Sequence, residues 1–295
     1  MHEPSRDAAI AEAARRLAAI GVPDAARDAR LIARWATGHD AAGLVAAGDG
    51  AMTAEEARRF QAAVAARCAR QPMAQIIGQR EFWGRSFRVT PDVLDPRPET
   101  ETLIAAALGC RVALPKAARV IDLGTGTGCI LLTLLSEWQQ ATGLGTDLSP
   151  AALAVARANA EAHGLQRRAA FAEGSWWDGV SGEADLVVSN PPYVTAAEWA
   201  GLAPEVRLHE PRTALVPDPD PERDGLAAYR TILDGAPSRL RPGGCVLVET
   251  GAGQAKAVAS LATRAGLHDV ATHRDLDGRE RVVSARASGG PRPAL

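Results

Sequence analysis

The sequence predicts an α/β fold: a mostly parallel sheet with crossover helices and an antiparallel edge strand, preceded by a small helical domain and a β-hairpin linker. From about residue 118 onward, short apolar runs alternate with helical segments, and this alternation is typical of parallel strands. Before that region, helical periodicity without strands fills about the first 70 residues. With 46% apolar and 23% charged residues, the 295-residue chain has the composition of a globular protein.

The amino-terminal region is predicted to form three helices. The first ends at Gly21, the second covers about 25–35 and stops near Gly38, and Thr53 with Glu56 forms a capping box that begins the third. Four apolar residues share one face of the first helix: Ile10, Ala14, Leu17 and Ile20. Because this region holds no chemical motif, we assign residues 1–72 to a helical domain that docks a substrate.

A β-hairpin is predicted after the helices. The text "QIIGQREFWGRSFRVT" at 75–90 is rich in β-branched and aromatic residues, and Gly84 lies at the expected turn. Residues 73–96 are therefore assigned to a hairpin linker.

Alternating strands and helices follow the linker. The runs "RVIDL", "TGLGTD" and "DLVVS" are predicted strands, and helices are predicted to begin at Cys129 and Pro150. Ser149 can cap the second of these helices, because serine accepts backbone hydrogen bonds at a helix start and proline suits the first helical position.

The carboxyl-terminal part adds another strand and the antiparallel edge. A turn at 242–244, "PGG", is predicted to precede the strand "CVLVE", and two later strand candidates lie near Asp269 and Val282. Residues 97–286 are assigned to this α/β domain, and 287–295, "ASGGPRPAL", to a disordered tail.

Charge and cysteine content narrow the class of partner. A net charge of -2 and a pI near 6.3 argue against a protein that grips long nucleic acid, so no direct nucleic-acid binding is expected. The four cysteines have no spacing typical of zinc or of a disulfide framework, so we expect no metal and a cytoplasmic location. No apolar run is long enough for a membrane span or a signal peptide.

A glycine loop between a strand and a helix predicts a cofactor site, and Asp147 ends the next strand, where it can accept hydrogen bonds from ribose hydroxyls. A dinucleotide fingerprint would have its third glycine at the position of Cys129, and Asp122 would repel a pyrophosphate. The ammonium group of S-adenosylmethionine would instead be attracted. The predicted cofactor residues of the loop are Asp122, Gly124, Thr125, Gly126, Thr127 and Gly128.

Two tryptophans, Trp176 and Trp177, follow the next strand candidate. One ring can stack on the adenine of the cofactor, and the alternative is packing beneath a loop.

The run "DLVVSNPPYV" ends a predicted strand with an amide, two prolines and a tyrosine. Asn-Pro alone is a common turn, but Pro191 and Pro192 lack backbone N–H groups, so the stretch offers mainly carbonyl acceptors. An NH2 group can donate to the Asn190 side-chain oxygen and the Pro191 carbonyl, while Tyr193 stacks on the planar acceptor. These dipoles stabilise the positive charge that nitrogen gains during methyl transfer. The tetrad predicts methylation of an amide or aniline-like nitrogen.

Several stretches together resemble the PrmC/HemK family of methyltransferases. They are "DLGTGTG", "NPPY", "QPMAQIIGQREFWG", "RPETE" at 97–101, "HEPRTAL" at 209–215 and "DLDGRERVV" at 275–283. The resemblance implies a Rossmann-like class I fold dependent on S-adenosylmethionine for residues 97–286. It also implies methyl transfer to the glutamine amide in the Gly-Gly-Gln motif of class I peptide chain release factors.

Carried over by position, the resemblance implies that the glycine loop, Asp147 and Trp176 bind the cofactor, that residues 190–193 bind the glutamine, and that Asn190 contacts both ligands. Asp95 and Thr250 depart from the family pattern. We expect these departures to affect local packing and not the chemistry. Arg97 and Glu99 either brace the wall of the active site or form structural ion pairs.

Three alternatives stay open at this point. The closest is a glutamine methyltransferase of a large-subunit ribosomal protein, although "RPETE" favours the release factor. The second methylates amino groups of nucleic acid bases with the same tetrad, but the sequence shows neither a basic patch nor a target-recognition insertion. The third is a cofactor-binding scaffold without catalysis, against which the intact tetrad argues.

Overall fold

The computed structural model describes residues 5–289, which form two compact units. The helical unit is the chain up to Gly78 together with Ala203–His209, and the sheet unit is Gln79–Leu202 with the chain from Glu210 onward. Most of the predicted tail at 287–295 lies outside the described residues. Within 5–289, no helix has both the length and the apolar character that a membrane span requires.

The helices of the described residues are numbered in chain order. They are α1 Arg6–Ala19, α2 Ala25–Thr37, α3 Ala41–Ala46, α4 Ala54–Cys68, α5 Met73–Ile77, α6 Glu101–Cys110, α7 Cys129–Glu137, α8 Pro150–Ala162, α9 Ala196–Trp199, α10 Pro204–His209, α11 Ala227–Gly235 and α12 Ala255–Arg264. The strands are β1 Gln79–Phe82, β2 Arg85–Arg88, β3 Arg119–Leu123, β4 Thr142–Asp147, β5 Ala169–Glu173, β6 Ala184–Ser189, β7 Leu240–Glu249, β8 His268–Arg274 and β9 Glu280–Arg286.

The helical unit confirms the three predicted helices as α1, α2 and α4, and adds the short helices α3 and α5. Thr53 and Glu56 form the predicted capping box at the start of α4. Leu17 and Phe60 are fully buried in the core of this unit. Ile20 was expected on the buried face but is 45% exposed, because α1 ends one residue before it.

A buried ion network joins three elements of the helical unit. Arg67 on α4 donates from Nε to Asp28 on α2 at 2.7 Å and from Nη1 to Glu205 on α10 at 3.0 Å. Arg70 donates to the other oxygen of Glu205 at 2.9 Å. Burial raises the pKa of Glu205, but hydrogen bonds, including those from both arginines, outweigh it and leave the pKa lowered. Each carboxylate of the network thus meets a guanidinium.

The predicted hairpin is present as the antiparallel pair β1 and β2. Its two turn residues, Trp83 and Gly84, both have positive φ, as a two-residue hairpin turn with the twist of the strands requires. Residues 73–77, which the sequence analysis placed in the hairpin linker, form helix α5 instead.

The sheet unit contains a seven-stranded sheet in the order β5-β4-β3-β6-β7-β9-β8. The first five strands pair in parallel, whereas β9 and β8 add two antiparallel strands at one edge. This confirms the predicted mostly parallel sheet with an antiparallel edge. Because the strand order reverses at β3, a crevice opens there at the carboxyl ends of the strands, where α/β sheets bind ligands.

Alternate residues of the central strands face two different cores. Val120 and Leu186 pack on one face against α6 and α7, while the next residues, Ile121 and Val187, pack on the other face against α11 and α12. These strands are buried on both faces, which explains why their sequences are continuous apolar runs and do not alternate with polar residues.

The predicted turn at Pro242-Gly243-Gly244 lies inside strand β7, and that prediction was wrong. β7 begins at Leu240, which pairs with Ala184, and the pairing with β6 resumes at Leu186 and Cys245. The extra residues on the β7 side form an irregularity in the ladder, so the strand bends there but continues.

Candidate functional site

A cavity of about 400 Å3 lies at the carboxyl ends of β3, β4, β5 and β6, a volume within the range of small-molecule sites. All of its wall belongs to the sheet unit. The wall contains residues 124–127, 147–149, 174–176 and Asn190, which lie at or just after the ends of these strands. Residues 92–97 and 216–219 also contribute to the wall. The strands therefore bring together segments that are far apart in the sequence.

The glycine loop connects β3 to α7, as predicted. Gly124 and Thr125 both donate backbone hydrogen bonds to the Thr146 carbonyl at 2.9 Å, which fixes the loop against β4. Gly126 has a φ of 53° and nothing within 4 Å of where a Cβ would be, so a ligand can approach its backbone closely. At Gly128, an added Cβ would lie 3.3 Å from the Cβ of Ala156, so this glycine allows the loop to pack against α8.

Asp147 links the end of β4 to the glycine loop. Its Oδ2 accepts from the Gly126 N–H and its Oδ1 from the Ser149 N–H, both at 2.9 Å. Burial raises the pKa of this carboxyl group, and these backbone hydrogen bonds oppose the rise. Since each carboxylate oxygen can accept a second hydrogen bond, Asp147 can still receive two hydroxyl groups from the cavity.

Asp122 lies beneath the loop and is not part of the cavity wall. It is fully buried; its Oδ2 accepts a hydrogen bond from the Thr125 hydroxyl at 2.6 Å, whereas Oδ1 has no partner within residues 5–289. Burial raises its pKa to about 7. An unpartnered buried carboxylate oxygen is costly, and a nearby cationic ligand would offset that cost.

The two neighbouring tryptophans have different surroundings. Trp176 lies in the cavity wall near Gly124, and its backbone has a positive φ of 50°. Trp177 donates from its indole nitrogen to the Thr231 carbonyl at 3.1 Å and packs against Gly235 on α11. Only Trp176 of the pair is therefore available to a ligand in the cavity.

Asn190 follows β6 and lies in the cavity wall. The preceding residue, Ser189, donates to the Leu123 carbonyl at 2.6 Å and so ties the end of β6 to the end of β3. The Asn190 side-chain nitrogen donates to the Thr100 hydroxyl oxygen at 3.2 Å. Among the hydrogen bonds of residues 5–289, none ends at Asn190 Oδ1, which is thus free to accept from a ligand.

The rest of the tetrad lies beside Asn190. Pro192 is in the cavity wall, whereas Pro191 is buried and Tyr193 is half-buried outside that wall. Burial, followed by the charge of Glu249, raises the pKa of Tyr193 to about 12, so its hydroxyl is protonated at neutral pH. The Tyr193 carbonyl accepts from the Gln254 side chain at 3.1 Å, which fixes the chain as it leaves the tetrad.

Acidic residues dominate the charge of the cavity wall. The wall contains four aspartates and one arginine, Arg97. Arg97 donates to both carboxylate oxygens of the buried Glu210 at 2.6 Å, so its charge is already paired. Burial raises the pKa of Asp95, and one of its oxygens has no partner within the described residues. A wall of this charge favours a cationic ligand over an anionic one such as a pyrophosphate.

The site residues that the sequence analysis missed include Thr100, Asp95 and Ser189. Thr100 and Asp95 contribute to the wall although no role was predicted for them, and Ser189 anchors Asn190. Thr100 lies in the "RPETE" stretch, which resembles the family. The motif therefore pointed to this segment, but it did not show what the threonine contacts. Two possibilities were considered for Arg97, and the structure shows the ion pair, which Arg97 forms with Glu210. Arg97 also lies in the cavity wall.

Within residues 5–289, no group of three or more His, Cys, Asp or Glu side chains is arranged to hold a metal ion. The predicted cofactor residues found in the cavity wall are Gly124, Thr125, Gly126, Thr127, Asp147, Trp176 and Asn190. Asp122 and Gly128 instead support the loop from behind. The cavity therefore combines an open glycine backbone, a carboxylate able to accept hydroxyl groups and the half-buried ring of Trp176.

Comparison with known proteins identifies relatives over most of the chain. Residues 8–78 match the family described as PrmC N-terminal domain, and residues 103–218 match the Methyltransferase small domain. A release factor glutamine methyltransferase of Cereibacter sphaeroides is 54% identical over 278 residues, covering 94% of this chain and 97% of that protein. Another from Rhodospirillum rubrum is 44% identical over 285 residues, covering 95% of this chain and 85% of that protein.

Among solved structures, a methyltransferase from Pyrococcus furiosus aligns with a TM-score of 0.51 at 15% identity, covering 80% of this chain and 100% of that chain. At this identity the likeness shows a shared fold. It agrees with the Rossmann-like sheet described above.

Proposed function

Because the chain belongs to the release factor glutamine methyltransferase family, we propose that it methylates the side-chain amide nitrogen of the glutamine in the Gly-Gly-Gln motif of class I peptide chain release factors. The observation that carries the proposal is the orientation of the Asn190 side-chain amide at the cavity wall. Its nitrogen donates a hydrogen bond to Thr100, and its oxygen is free to accept one from a ligand. A primary amide donates two hydrogens and so matches an acceptor at this position.

The cavity residues fit S-adenosylmethionine as the methyl donor, which supplies an electrophilic methyl group on a positively charged sulfur. In this proposal the open backbone of Gly126 and its neighbours contacts the amino acid part, and Asp147 accepts hydrogen bonds from the ribose hydroxyls. Trp176 stacks on the adenine. The excess of aspartates in the wall, with the unpartnered oxygen of Asp122 beneath it, favours the two positive charges of the donor.

The tetrad residues position and polarise the glutamine amide. Asn190 Oδ1 and the Pro191 carbonyl accept its two hydrogens, and the ring of Tyr193 holds the amide plane. These fixed acceptors stabilise the positive charge that develops on nitrogen as the N–CH3 bond forms and the S–CH3 bond breaks. The methylated nitrogen then loses one proton to water, so no strong base is needed before transfer.

The helical unit is proposed to dock the protein substrate, in agreement with the role assigned to residues 1–72. Its charged network is buried and paired, whereas Val45 on α3 is 80% exposed and offers an apolar contact. The proposal includes a cytoplasmic location and no direct contact with nucleic acid. The four cysteines, which are all free thiols, are compatible with a reducing compartment.

The test is methyl transfer from isotopically labelled S-adenosylmethionine to three purified acceptors: a class I release factor, large-subunit ribosomal proteins and DNA. Peptide mass spectrometry should place the label on the Gly-Gly-Gln glutamine of the release factor alone. A release factor whose motif glutamine is replaced by glutamate serves as the matched control and should stay unlabelled. Label on another residue, or on ribosomal protein or DNA only, would refute the proposed substrate.

A further inference from the structure

The side chain of Gln254 bridges two backbone groups near the tetrad. Gln254 caps the amino end of α12, just after the turn that follows β7. Its Nε2 donates to the Tyr193 carbonyl, and its Oε1 accepts from the Gly251 N–H, both at 3.1 Å. Since 61 positions separate Gln254 from Tyr193 in the chain, this one amide ties the tetrad to the end of β7.

The direction of the Gln254 amide is fixed by groups that cannot exchange roles. A backbone N–H only donates a hydrogen bond, and a backbone carbonyl only accepts one. With the Gly251 N–H on one side and the Tyr193 carbonyl on the other, an amide turned over would lose both hydrogen bonds. The structure therefore defines a donor end at Tyr193 and an acceptor end at Gly251.

The tetrad depends on other segments to hold it in place. Neither Pro191 nor Pro192 has an N–H group that could donate to a neighbouring element. The start of the tetrad is anchored by Ser189, which donates to the Leu123 carbonyl at 2.6 Å. The other end, at Tyr193, requires an anchor of its own.

The peptide group between Tyr193 and Val194 supplies that second anchor, because it is held on both sides. Its carbonyl accepts from Gln254, and its N–H donates to the Leu215 carbonyl at 2.8 Å. A peptide group that is held on both sides cannot rotate without losing a hydrogen bond. The Gln254 contact thus fixes the backbone from which the Tyr193 ring extends.

Two glycines allow the chain to close around Tyr193. A Cβ at Gly251 would lie 2.7 Å from the Gln254 Oε1 and 2.9 Å from the Tyr193 ring, and a Cβ at Gly225 would collide with the Tyr193 carbonyl oxygen. Contacts this close leave no room for a side chain at either glycine. The carbonyl and the ring of Tyr193 are therefore enclosed on both sides.

We propose that Gln254 is a positioning residue for methyl transfer: by holding the Tyr193 carbonyl, it places the Tyr193 ring against the plane of the substrate amide. This inference rests on the proposed function, in which that ring holds the glutamine amide. The cavity wall of the described chain does not include Gln254, so the residue acts through Tyr193. Orientation of this kind is costly to lose, since a shift of about 1 Å can reduce a rate about 10²-fold.

The experiment compares Gln254→Glu with Gln254→Met, two replacements of similar length. A carboxylate has no hydrogen for the Tyr193 carbonyl, whereas a protonated carboxyl group has one donor and one acceptor and so mimics the amide. Methionine has no donor at any pH. With the release factor as substrate at about pH 8.5, we expect both variants to lower kcat about 10- to 100-fold. Both should bind S-adenosylmethionine as the wild type does by calorimetry.

The pH profile separates positioning from packing. A free glutamate has a pKa of about 4.3, and partial burial raises it. The kcat of Gln254→Glu relative to the wild type should therefore rise about threefold or more between about pH 8.5 and about pH 5, as the carboxyl group gains its proton. The same ratio for Gln254→Met should stay constant. Parallel profiles for the two variants would overturn the proposal.

Gln166→Glu is the matched control for the added charge. Gln166 is exposed between α8 and β5, at the amino ends of the strands and away from the cavity. This variant should keep kcat within about twofold of the wild type. Equal losses in Gln166→Glu and Gln254→Glu would also overturn the proposal.

A double-mutant cycle tests whether Gln254 acts through Tyr193. In the Tyr193→Ala background, Gln254→Met should have no further effect on kcat, because the ring that it positions is gone. Additive losses would contradict the proposal even if the single variants behave as expected. Wild-type enzyme that labels no glutamine amide would instead signal failure of the proposed function, which is a different result from any of these.

Discussion

The paired carboxylates of the helical unit differ from two buried carboxylates of the sheet unit, Asp122 on β3 and Glu249 on β7. In the helical unit, Asp28 and Glu205 both meet the guanidinium of Arg67, and Arg70 bonds the second oxygen of Glu205. In the sheet unit, Asp122 and Glu249 are at least as deeply buried, yet each has an oxygen without a partner.

The pKa values follow this difference. Glu205 has a lowered pKa, because hydrogen bonds to its charged form outweigh burial. Burial raises the pKa of Asp122 and of Glu249 to about 7. The comparison indicates that the paired network serves stability, whereas the unpartnered oxygen of Asp122 lies beneath the loop that forms part of the cavity wall. Substitutions in the two regions should therefore affect different properties of the protein.

The largest effect on stability is expected for Arg67→Ala. Removing this guanidinium leaves the buried Asp28 carboxylate unpaired, which should lower the free energy of unfolding by about 3–5 kcal/mol. Urea denaturation measures this change. Arg15→Ala, which breaks the exposed pair with Glu12, is the matched control and should cost at most about 1 kcal/mol. Similar losses in both variants would contradict a stabilising role for the buried network.

Asn190→Ala should affect catalysis instead of stability. Loss of the side-chain acceptor should reduce kcat about 10²- to 10³-fold, while the free energy of unfolding changes by about 1 kcal/mol or less, the usual value of one hydrogen bond. Steady-state kinetics, cofactor calorimetry and urea denaturation measure the three quantities. Activity that survives within a few-fold would disprove the assigned role of Asn190.

Asp122→Asn should produce two changes of opposite sign. In the folded protein the pKa of Asp122 is raised to about 7, above its value in the unfolded chain. The stability that the protonated acid contributes is therefore fully present below the unfolded pKa and is lost as the pH rises through about 7. At about pH 8 the substitution should therefore raise the free energy of unfolding by about 1–3 kcal/mol. The gain should shrink at about pH 5, where the folded wild type is protonated.

Cofactor affinity should fall in the same Asp122→Asn variant, because the attraction to a cationic ligand is lost. We expect a loss of about tenfold, equivalent to about 1.4 kcal/mol. Lower stability together with unchanged affinity would show that Asp122 is an ordinary structural acid.

The smallest effect is a release of protons when the cofactor binds. A cation near Asp122 favours the ionised carboxylate and lowers a pKa that starts near neutrality, so binding at about pH 7 should release a fraction of a proton. Calorimetry in two buffers with different ionisation enthalpies detects this as different apparent heats. Asp122→Asn should reduce the difference, and equal heats for the wild-type protein would contradict the prediction.

Much of the fold could be predicted because local signals and global packing agree. The strands "RVIDL" and "TGLGTD" match β3 and β4 residue for residue, and both were placed by their alternation with helical segments. The prediction failed where tertiary pairing overrides a local signal. Residues 242–244 resemble a turn, but the ladder with β6 keeps them within β7.

The site could be predicted only where its residues carry a recognisable motif. The glycine loop and the Asn190 tetrad were both found in the sequence, and Trp176 was chosen over Trp177 by analogy. The hydrogen bond between Thr100 and Asn190 could not be found, because it joins two segments that only the folded sheet brings together. The departures at Asp95 and Thr250 also differ in the fold: Asp95 borders the cavity, whereas Thr250 is fully buried.

The crowding at Gly128 limits how the protein can evolve. A single-base missense change in a glycine codon always introduces a side chain, and at this position the new carbon would press on Leu132 and Ala156 while the backbone stays at a φ of 78°. Every such mutation would strain the backbone and force Leu132 and Ala156 to shift by a few tenths of an ångström. Descendants of this protein can change many surface positions, but at Gly128 natural selection should remove each variant as it arises.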